Sequence, residues 1–508
     1  MAGEAAGPYD VKQAPWPCWR GPYWNGSMKD QGIELIEDLS KAKLVWKSDI
    51  PIPGAYASHG GVAYWVGGHS TPVVADGRVV IAYSCPPGRT NYAFTAEDLT
   101  YRTKGNRMPD LPDMTGDDVI HCFEASTGKT LWRRAFSRKG RMIYGEGLHL
   151  TVCYAEGRIY APGTAGGLYC VDAATGEPLW EARVEPHAMN DGKWRGTTIT
   201  GAPQVVDGVV VLGHGGRRPA RLQGFDTKTG EKLWTGPAVA SGFSPVVWLH
   251  EEKGYFVAVS RKGPLLLDAK TGEILWQATM PDGATPHTAS SPAVCGNRLV
   301  LVRMNAPAET KQQTKETRPV CFEISPTGCK LAWTGATVVK RAIGNACFNT
   351  PIIYRDRVYV VHDGALRCHA LADGELLASM PCSRKTNGLN GTGFNGLAVE
   401  GRLICSDISK ITMLSATPDD LRLLSGTNCP GPQSDWRKAN SVSLGYQDGF
   451  IYMRTEKGSL KHDPKNESRL VCYDLRAAAK RSDVSSVASA KEEDGRTEGN
   501  RGENGNAR

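Results

Sequence analysis

The residues able to do chemistry in this chain gather in short polar segments that recur between apolar strands. His59 and His69 lie in SHGGVAYWVGGHSTP, Tyr144, Glu146 and His149 in YGEGLHLT, and Trp194 and Arg195 in KWRGTT. His287 follows in TPHTASSP, Arg341, Asn345 and Asn349 in KRAIGNACFNTP, Asn390 and Asn395 in NGLNGTGFNG, and Trp436, Arg437 and Asn440 in DWRKAN. Arginine offers paired donors to an anion, and asparagine both donates and accepts, so together they suit an anionic or polyhydroxylated ligand. A histidine beside tyrosine or arginine can also move a proton in general acid–base catalysis. The plainer alternative is that each side chain satisfies strand-end N–H and C=O groups around a wet channel, and for any single residue that is the expectation. As a group, His59, His69, Tyr144, His149, Arg195, His287, Arg341, Asn349, Asn395 and Arg437 form the candidate ligand site. A metal would need His59, His69, His149 and His287 to converge on one point; no CxxC or Cys/His zinc spacing accompanies them, and no metal is expected.

Such segments need a frame that brings them together, and the frame is a repeat. One phrase returns down the chain: HCFEASTGKTLW from His121, YCVDAATGEPLW from Tyr169, QGFDTKTGEKLW from Gln223, LLLDAKTGEILW from Leu265 and the stretched VCFEISPTGCKLAW from Val320. RCHALADGELLA from Arg367 is a degraded copy, and VCYDL from Val471 keeps only the first half. The acidic positions Glu124, Asp172, Asp226, Asp268 and Glu323 stand 42 to 55 residues apart, the length of a four-stranded propeller blade. The acid can accept from the backbone two residues on, the glycine supplies a positive φ for the turn, and Leu-Trp opens the outer strand. Trp132, Trp180, Trp234, Trp276 and Trp333 therefore read as a structural girdle packed between blades.

Ahead of each phrase lies an alternating hairpin, as in STPVVADGRVVIAYS from Ser70, SPAVCGNRLVLVR from Ser291 and TPIIYRDRVYVVH from Thr350. Eight such hairpins occur, the last from Asn440, and that one lacks its own Leu-Trp strand. Leu44-Val45-Trp46-Lys47 supplies the missing strand from the other end of the chain, and pairing the two ends removes an exposed sheet edge. The expected fold is all-β: an eight-bladed β-propeller of four-stranded blades, its ring closed by the N-terminal strand pairing into the last blade. The expected organisation is an N-terminal extension over 1–42 and the propeller over 43–476, with insertions at about 85–118 and 303–318 that read as surface excursions. A polar tail over 477–508 is expected to be disordered. Cys122, Cys170, Cys321, Cys368 and Cys472 occupy one repeat position, which argues for packing rather than a disulfide framework.

The D-x-x-T-G-x-x-L-W phrase, the Ser/Thr-Pro strand openings and WPCWRGP from Trp16 together resemble the PQQ-like β-propeller repeat family, over nearly all of the chain from Trp16 to Arg476. That family includes quinoprotein alcohol dehydrogenases and the outer-membrane assembly lipoprotein BamB. The resemblance implies the fold, and it implies export to the periplasm. It also raises PQQ with calcium, but those dehydrogenases hold the cofactor with adjacent cysteines. This chain has no Cys-Cys dipeptide and no match to the calcium ligands or catalytic Asp, so no cofactor is expected.

Composition narrows the rest. The formal charge of +7 comes from 60 basic and 53 acidic residues that are interleaved, so no Lys/Arg stripe predicts a nucleic-acid partner. No apolar run approaches the roughly 18 residues of a membrane span. Met1 to Pro17 lacks the pattern of a secretory leader, and unpaired cysteines fit a reducing compartment better than the periplasm, so a cytoplasmic location stays open beside export. A monomer is expected. The first functional reading is a non-catalytic scaffold or ligand-binding module with a protein, glycan or polar small-molecule partner. A carbohydrate-active lyase or hydrolase using the His/Arg/Tyr funnel ranks second, and a PQQ-dependent oxidoreductase third.

Overall fold

Each blade is organised by its outer turn. In blade 2 the Asp172 carboxylate accepts from the N–H groups of Ala174 (3.0 Å) and Thr175 (2.8 Å) and from the Thr175 hydroxyl (3.0 Å). Asp226 and Asp268 repeat the same set of bonds. The backbone bond from Thr175 is the main reason that the Asp172 carboxyl is held below the ordinary carboxylate range. Turns fixed this way set the register of the two outer strands, and period-2 alternation then decides where side chains go. The leucine of Leu-Trp faces solvent, with Leu131, Leu179 and Leu233 all more than 40% exposed, while the tryptophan beside it faces the neighbouring blade and Trp132 and Trp234 are 8% exposed.

The computed structural model describes residues 10–52, 57–59, 62–64, 70–85, 114–140, 151–163, 166–184, 199–214, 220–239, 244–286, 290–304, 317–335, 348–362, 364–383, 389, 393–407, 410–417, 420–428, 444–455 and 468–477. They form eight antiparallel blades in chain order: 73–140, 153–183, 199–239, 246–277, 293–334, 352–381, 393–428 and 445–474. Blade 8 takes its fourth strand, Lys43–Lys47, from the start of the chain, with Lys43 opposite Asp474 and Lys47 opposite Val471. The eight-bladed ring closed by its N-terminal strand is thus present as expected, and no α-helix occurs among the described residues. The expected insertions are trimmed at their edges. Cys85 and residues 114–118, 303–304 and 317–318 belong to strands, and the remainder, 86–113 and 305–316, lies outside the described residues. So does the tail from 478 onward.

Blades are joined by one repeated contact. Each indole donates its ring N–H to a backbone carbonyl of the next blade: Trp46 to Ala125 (2.9 Å), Trp132 to Ala173 (3.1 Å), Trp180 to Thr227 (3.1 Å), Trp234 to Ala269 (3.1 Å), Trp276 to Ser325 (2.7 Å) and Trp333 to Leu371 (2.9 Å). In most of these the ring also lies on the glycine of the next blade's turn. A Cβ on Gly128, Gly176, Gly230, Gly272 or Gly374 would sit 2.3 to 2.6 Å from an indole carbon. At five of the six the partner across the strand pair is small, which explains the repeated cysteine: Cys122 faces Trp132, Cys170 faces Trp180, Gly224 faces Trp234, Cys321 faces Trp333 and Cys472 faces Trp46, while Leu266 faces Trp276. Two junctions lack the ring. In blade 6 the position holds Ala378 and in blade 7 it holds Ser425. Leu421, from the blade 7 turn, packs with Ala378 against one core cluster and fills the first gap. The second is filled by the N-terminal segment, whose Ile36 N–H donates to the Leu475 carbonyl (2.7 Å), the site a ring N–H would otherwise occupy, while the Leu39 N–H donates to the Ser425 hydroxyl (2.9 Å).

The seat on the turn glycine generates a test. Gly77 and Gly176 share a positive φ of +67° and +70°, but a Cβ at Gly77 meets nothing within 4 Å. Gly77→Ala should therefore cost only the left-handed backbone penalty, about 1–2 kcal/mol. Gly176→Ala should cost that amount plus the displacement of Trp132, at least another 1–3 kcal/mol for an overpacked contact. Urea unfolding midpoints of the two variants would check the difference; equal losses would mean that the ring does not rest on the glycine.

Candidate functional site: the funnel and its plug

The mouth of the funnel lies where the innermost strands begin, and a relay of hydroxyl groups pins these starts together. The Thr71 N–H donates to the Thr151 hydroxyl (2.9 Å), Ala202 N–H to Ser244 (2.9 Å), Ser244 N–H to Ser291 (3.0 Å) and Ser291 N–H to Thr350 (3.2 Å). The acceptors are buried, so the Ser/Thr of each Ser/Thr-Pro opening serves to tie one blade to the next. The polar mouth segments precede these residues in sequence.

Of the residues proposed for the site, His69, Tyr144, His149, Arg195, His287, Arg341 and Arg437 lie outside the described residues. The strand Ala57–His59 pairs with Val62–Tyr64 in a separate hairpin, His59 opposite Val62, apart from the blade sheets. Asn349 and Asn395 are brought together by the fold: Phe348–Asn349 runs parallel to the first strand of blade 7, with Phe348 opposite Gly393 and Asn349 opposite Phe394. By register Asn395 corresponds to Thr71, Thr151, Ser244, Ser291 and Thr350 of other blades.

Sequence reasoning missed the far end of the funnel. Residues 16–28 thread along innermost strands and meet four of them at one register position. Trp16 exchanges both backbone bonds with Val74 of blade 1 (3.1 and 2.8 Å), the Tyr154 N–H of blade 2 donates to Pro17 (2.7 Å), and the Ile353 N–H of blade 6 donates to Asn25 (3.1 Å). In blade 7, Ala398 donates to Gly26 (2.9 Å) and accepts from Met28 (3.1 Å). Blades 2 and 6 are diametrically opposite in an eight-membered ring, so the stretch from Pro17 to Asn25 crosses the axis. Its Trp16, Cys18, Trp24 and Asn25 are all 2% exposed or less. Arg20 is buried with them and donates to the carbonyls of Trp24 (3.3 Å) and Pro351; burial pulls its guanidinium down to about 9. Farther on, Asp30 accepts from Tyr354 (2.6 Å) and from Arg355 (2.6 Å). The segment is a strap that plugs the ring. Its only sequence signal was the dense WPCWRGPYW run, too rich in large apolar residues for a free extension.

Two buried polar chains account for histidines that do not reach the funnel. In blade 1 every proton has a direction: Arg133 Nε donates to the Tyr83 hydroxyl (3.3 Å), and Tyr83 to His121 Nδ1 (3.0 Å). His121 Nε2 then donates to Thr130 Oγ1 (2.9 Å), and Thr130 to Asp49 (2.8 Å). This ties blade 1 to the segment just after the closing strand. Burial, reinforced by the Arg133 charge, lowers His121 to about 3, so the ring is neutral. In blade 6, Arg367 donates to His362 Nδ1 (3.0 Å), His362 Nε2 to His369 Nε2 (3.0 Å) and His369 Nδ1 to the Gly374 carbonyl (3.1 Å). All three side chains are 2% exposed or less. The repeat cysteines are equally closed off, burial pushing Cys122, Cys170, Cys321 and Cys472 up to about 12. Among the described residues no group of three His, Cys, Asp or Glu side chains could hold a metal ion, and no helix is long and apolar enough to cross a membrane.

Residues 116–324 match the family model described as outer membrane protein assembly factor BamB. The chain is 26% identical over 230 residues to outer membrane protein assembly factor BamB of Bordetella pertussis, covering 42% of this chain and 49% of that one. It is 33% identical over 127 residues to the dehydrogenase subunit of a quinone alcohol dehydrogenase of Gluconacetobacter polyoxogenes, covering 24% and 17%. The matches thus span under a fifth of the dehydrogenase subunit and about half of BamB. The crystal structure of the quinohemoprotein alcohol dehydrogenase from Comamonas testosteroni superposes with a TM-score of 0.56 at 14% identity, over 93% of this chain and 82% of that one, a likeness of fold. The adjacent cysteines that the resemblance associates with the cofactor of such dehydrogenases are missing here. No two cysteines are adjacent in the sequence, and the described ones sit singly on blade strands or on the strap.

The His362–His369 pair sets a pH dependence. Its proton pattern is complete only when both rings are neutral, since a further proton would set two N–H groups against each other. Burial is the main reason that His369 is lowered from 6.5 to about 4. Between these values the unfolded chain binds a proton that the folded chain refuses. Stability is therefore fully present above pH 6.5 and is lost as pH falls toward 4, by about 1.4 kcal/mol per unit and about 3 kcal/mol in all. Urea unfolding from pH 7 to 4.5 should show this slope in the wild type and a shallower one in His369→Gln; parallel slopes would refute it.

Proposed function

We propose, on the premise that this chain belongs to the PQQ-like β-propeller repeat family, that it is a non-catalytic binding module. In this reading its open funnel face receives a protein partner or a polar, anionic or glycan ligand. The observation that carries the reading is the strap. A segment that crosses the axis and hydrogen-bonds the inner strands of blades 1, 2, 6 and 7 closes one end of the ring, which in this reading leaves the other face for a ligand. Concave polar convergence of the kind that the mouth segments offer is the common form of a binding site. The likeness to an assembly factor supports a protein partner, and export outside the cytoplasm, which the family resemblance implies, belongs to the same proposal. The chemistry visible among the described residues supports it as well. His121, His369 and the repeat cysteines are held in the neutral, buried forms that suit packing rather than turnover, and the missing cysteine pair argues against a quinoprotein.

Native mass spectrometry of the chain purified gently from its own host tests the proposal. A retained protein or small molecule is expected, and a variant carrying His149→Ala, Arg195→Ala and His287→Ala should lose it with an unchanged melting temperature. Chemical conversion of a supplied glycan by the wild type, abolished in that variant, would replace the reading with an enzyme. A rise in melting temperature on adding PQQ and calcium would replace it with a quinoprotein.

A further inference from the structure

We infer that Cys18 and Cys153 form a redox lock that fastens the strap to blade 2 by a disulfide when the chain folds under oxidising conditions. The two residues flank the backbone bond between Pro17 and Tyr154 (2.7 Å), so the docked strap brings their chain segments side by side. Their thiols are within hydrogen-bonding reach of each other, both are 0% exposed, and both belong to one core cluster with Trp24, Val205 and Val247. Cys18 is held in place by its own donation to the Gly21 carbonyl (3.3 Å). A cross-link here has a mechanical effect unlike one elsewhere in the ring. It would join the segment that crosses the axis to a strand 135 positions away in sequence, and a loop that long is costly to close in the unfolded chain.

The repeat cysteines that face an indole do not offer this. Cys122, Cys170, Cys321 and Cys472 each face an indole across their strand pair, one to a blade. Cys153 and Cys170 both border Tyr160, but from opposite sides, with its strand between them.

The chemistry is thiol–disulfide exchange with a small disulfide such as oxidised glutathione. One protein thiolate attacks the reagent's S–S bond, forming a mixed disulfide and releasing one glutathione. The second thiolate displaces the other glutathione and leaves the Cys18–Cys153 bond. The protein loses two electrons and two protons, and the reagent gains both as two thiols. Because both sulfurs are sealed once the strap is seated, the exchange takes place as the strap docks.

The full chain, unfolded under reducing conditions and refolded with oxidised and reduced glutathione, should be alkylated in denaturant and mapped by peptide mass spectrometry. A linked Cys18–Cys153 peptide is expected, with the remaining cysteines alkylated. The denaturant midpoint of this protein should exceed that of protein refolded in a reducing buffer, and the difference should vanish in Cys153→Ser. Alkylation of both Cys18 and Cys153 after oxidative refolding, or a link from Cys18 to any other cysteine, would overturn the inference. Wild-type mapping decides the matter even if the variant fails to fold.

Discussion

Everything else in this ring depends on an indole seated on a glycine of the neighbouring blade. A four-stranded blade has two apolar faces and cannot bury either by itself. The tryptophan supplies one large flat surface for the contact, and its ring N–H satisfies a carbonyl that would otherwise be stranded between sheets. The glycine makes room, the cysteine opposite stays small, and the carboxylate-capped turn holds glycine and carbonyl in the same relation in successive blades. Each feature of the repeat phrase is explained by that one contact. Where the ring is missing, its duties are divided: Leu421 takes the volume at one junction, and at the other the strap takes both the volume and the hydrogen bond to Leu475.

The strap is therefore a structural part of the ring. It finishes a junction that lacks its tryptophan, satisfies inner-strand backbone groups, and closes one end. An eight-membered ring of similar blades would otherwise be nearly symmetric. Crossing from blade 2 to blade 6 breaks that symmetry. The same constraint explains a buried arginine: Arg20 answers backbone carbonyls within the strap and at Pro351, which lie too deep for water to reach.

What could be read from the sequence follows from what repeats. Trp132, Trp180 and Trp234 recur with the same neighbours because they solve the same packing problem, so their role was visible, as was the closing strand around Trp46. Beyond the apolar WPCWRGPYW run the strap's path was not visible, because its bonds run between backbone groups, from Trp16, Pro17, Asn25 and Gly26 to strands up to several hundred residues away, and backbone bonding leaves no residue signature. His121 and the His362–His369 pair were equally hidden. Their partners are set by cross-strand register, and a histidine on an alternating strand looks the same whether it points at solvent or into a sealed polar chain. The mouth segments present the reverse case. Their residue types were conspicuous, but they lie between strands, where the repeat imposes no register, so composition indicated a site without fixing its geometry; Asn349 and Asn395 are the pair that the backbone does bring together.

Fourteen cysteines look at first like evidence about compartment, and the packing shows why most are not. A thiol that is buried, opposite an indole and pushed far up its titration range is inert in a reducing or an oxidising environment alike. Cys122, Cys170, Cys321 and Cys472 would be retained in either place for their size alone. The count of free cysteines therefore carries no weight against export, and the apparent conflict between many thiols and an exported family dissolves. A pair whose sulfurs meet across two chain segments can register the redox state, and the strap and blade 2 supply such a meeting at Cys18 and Cys153.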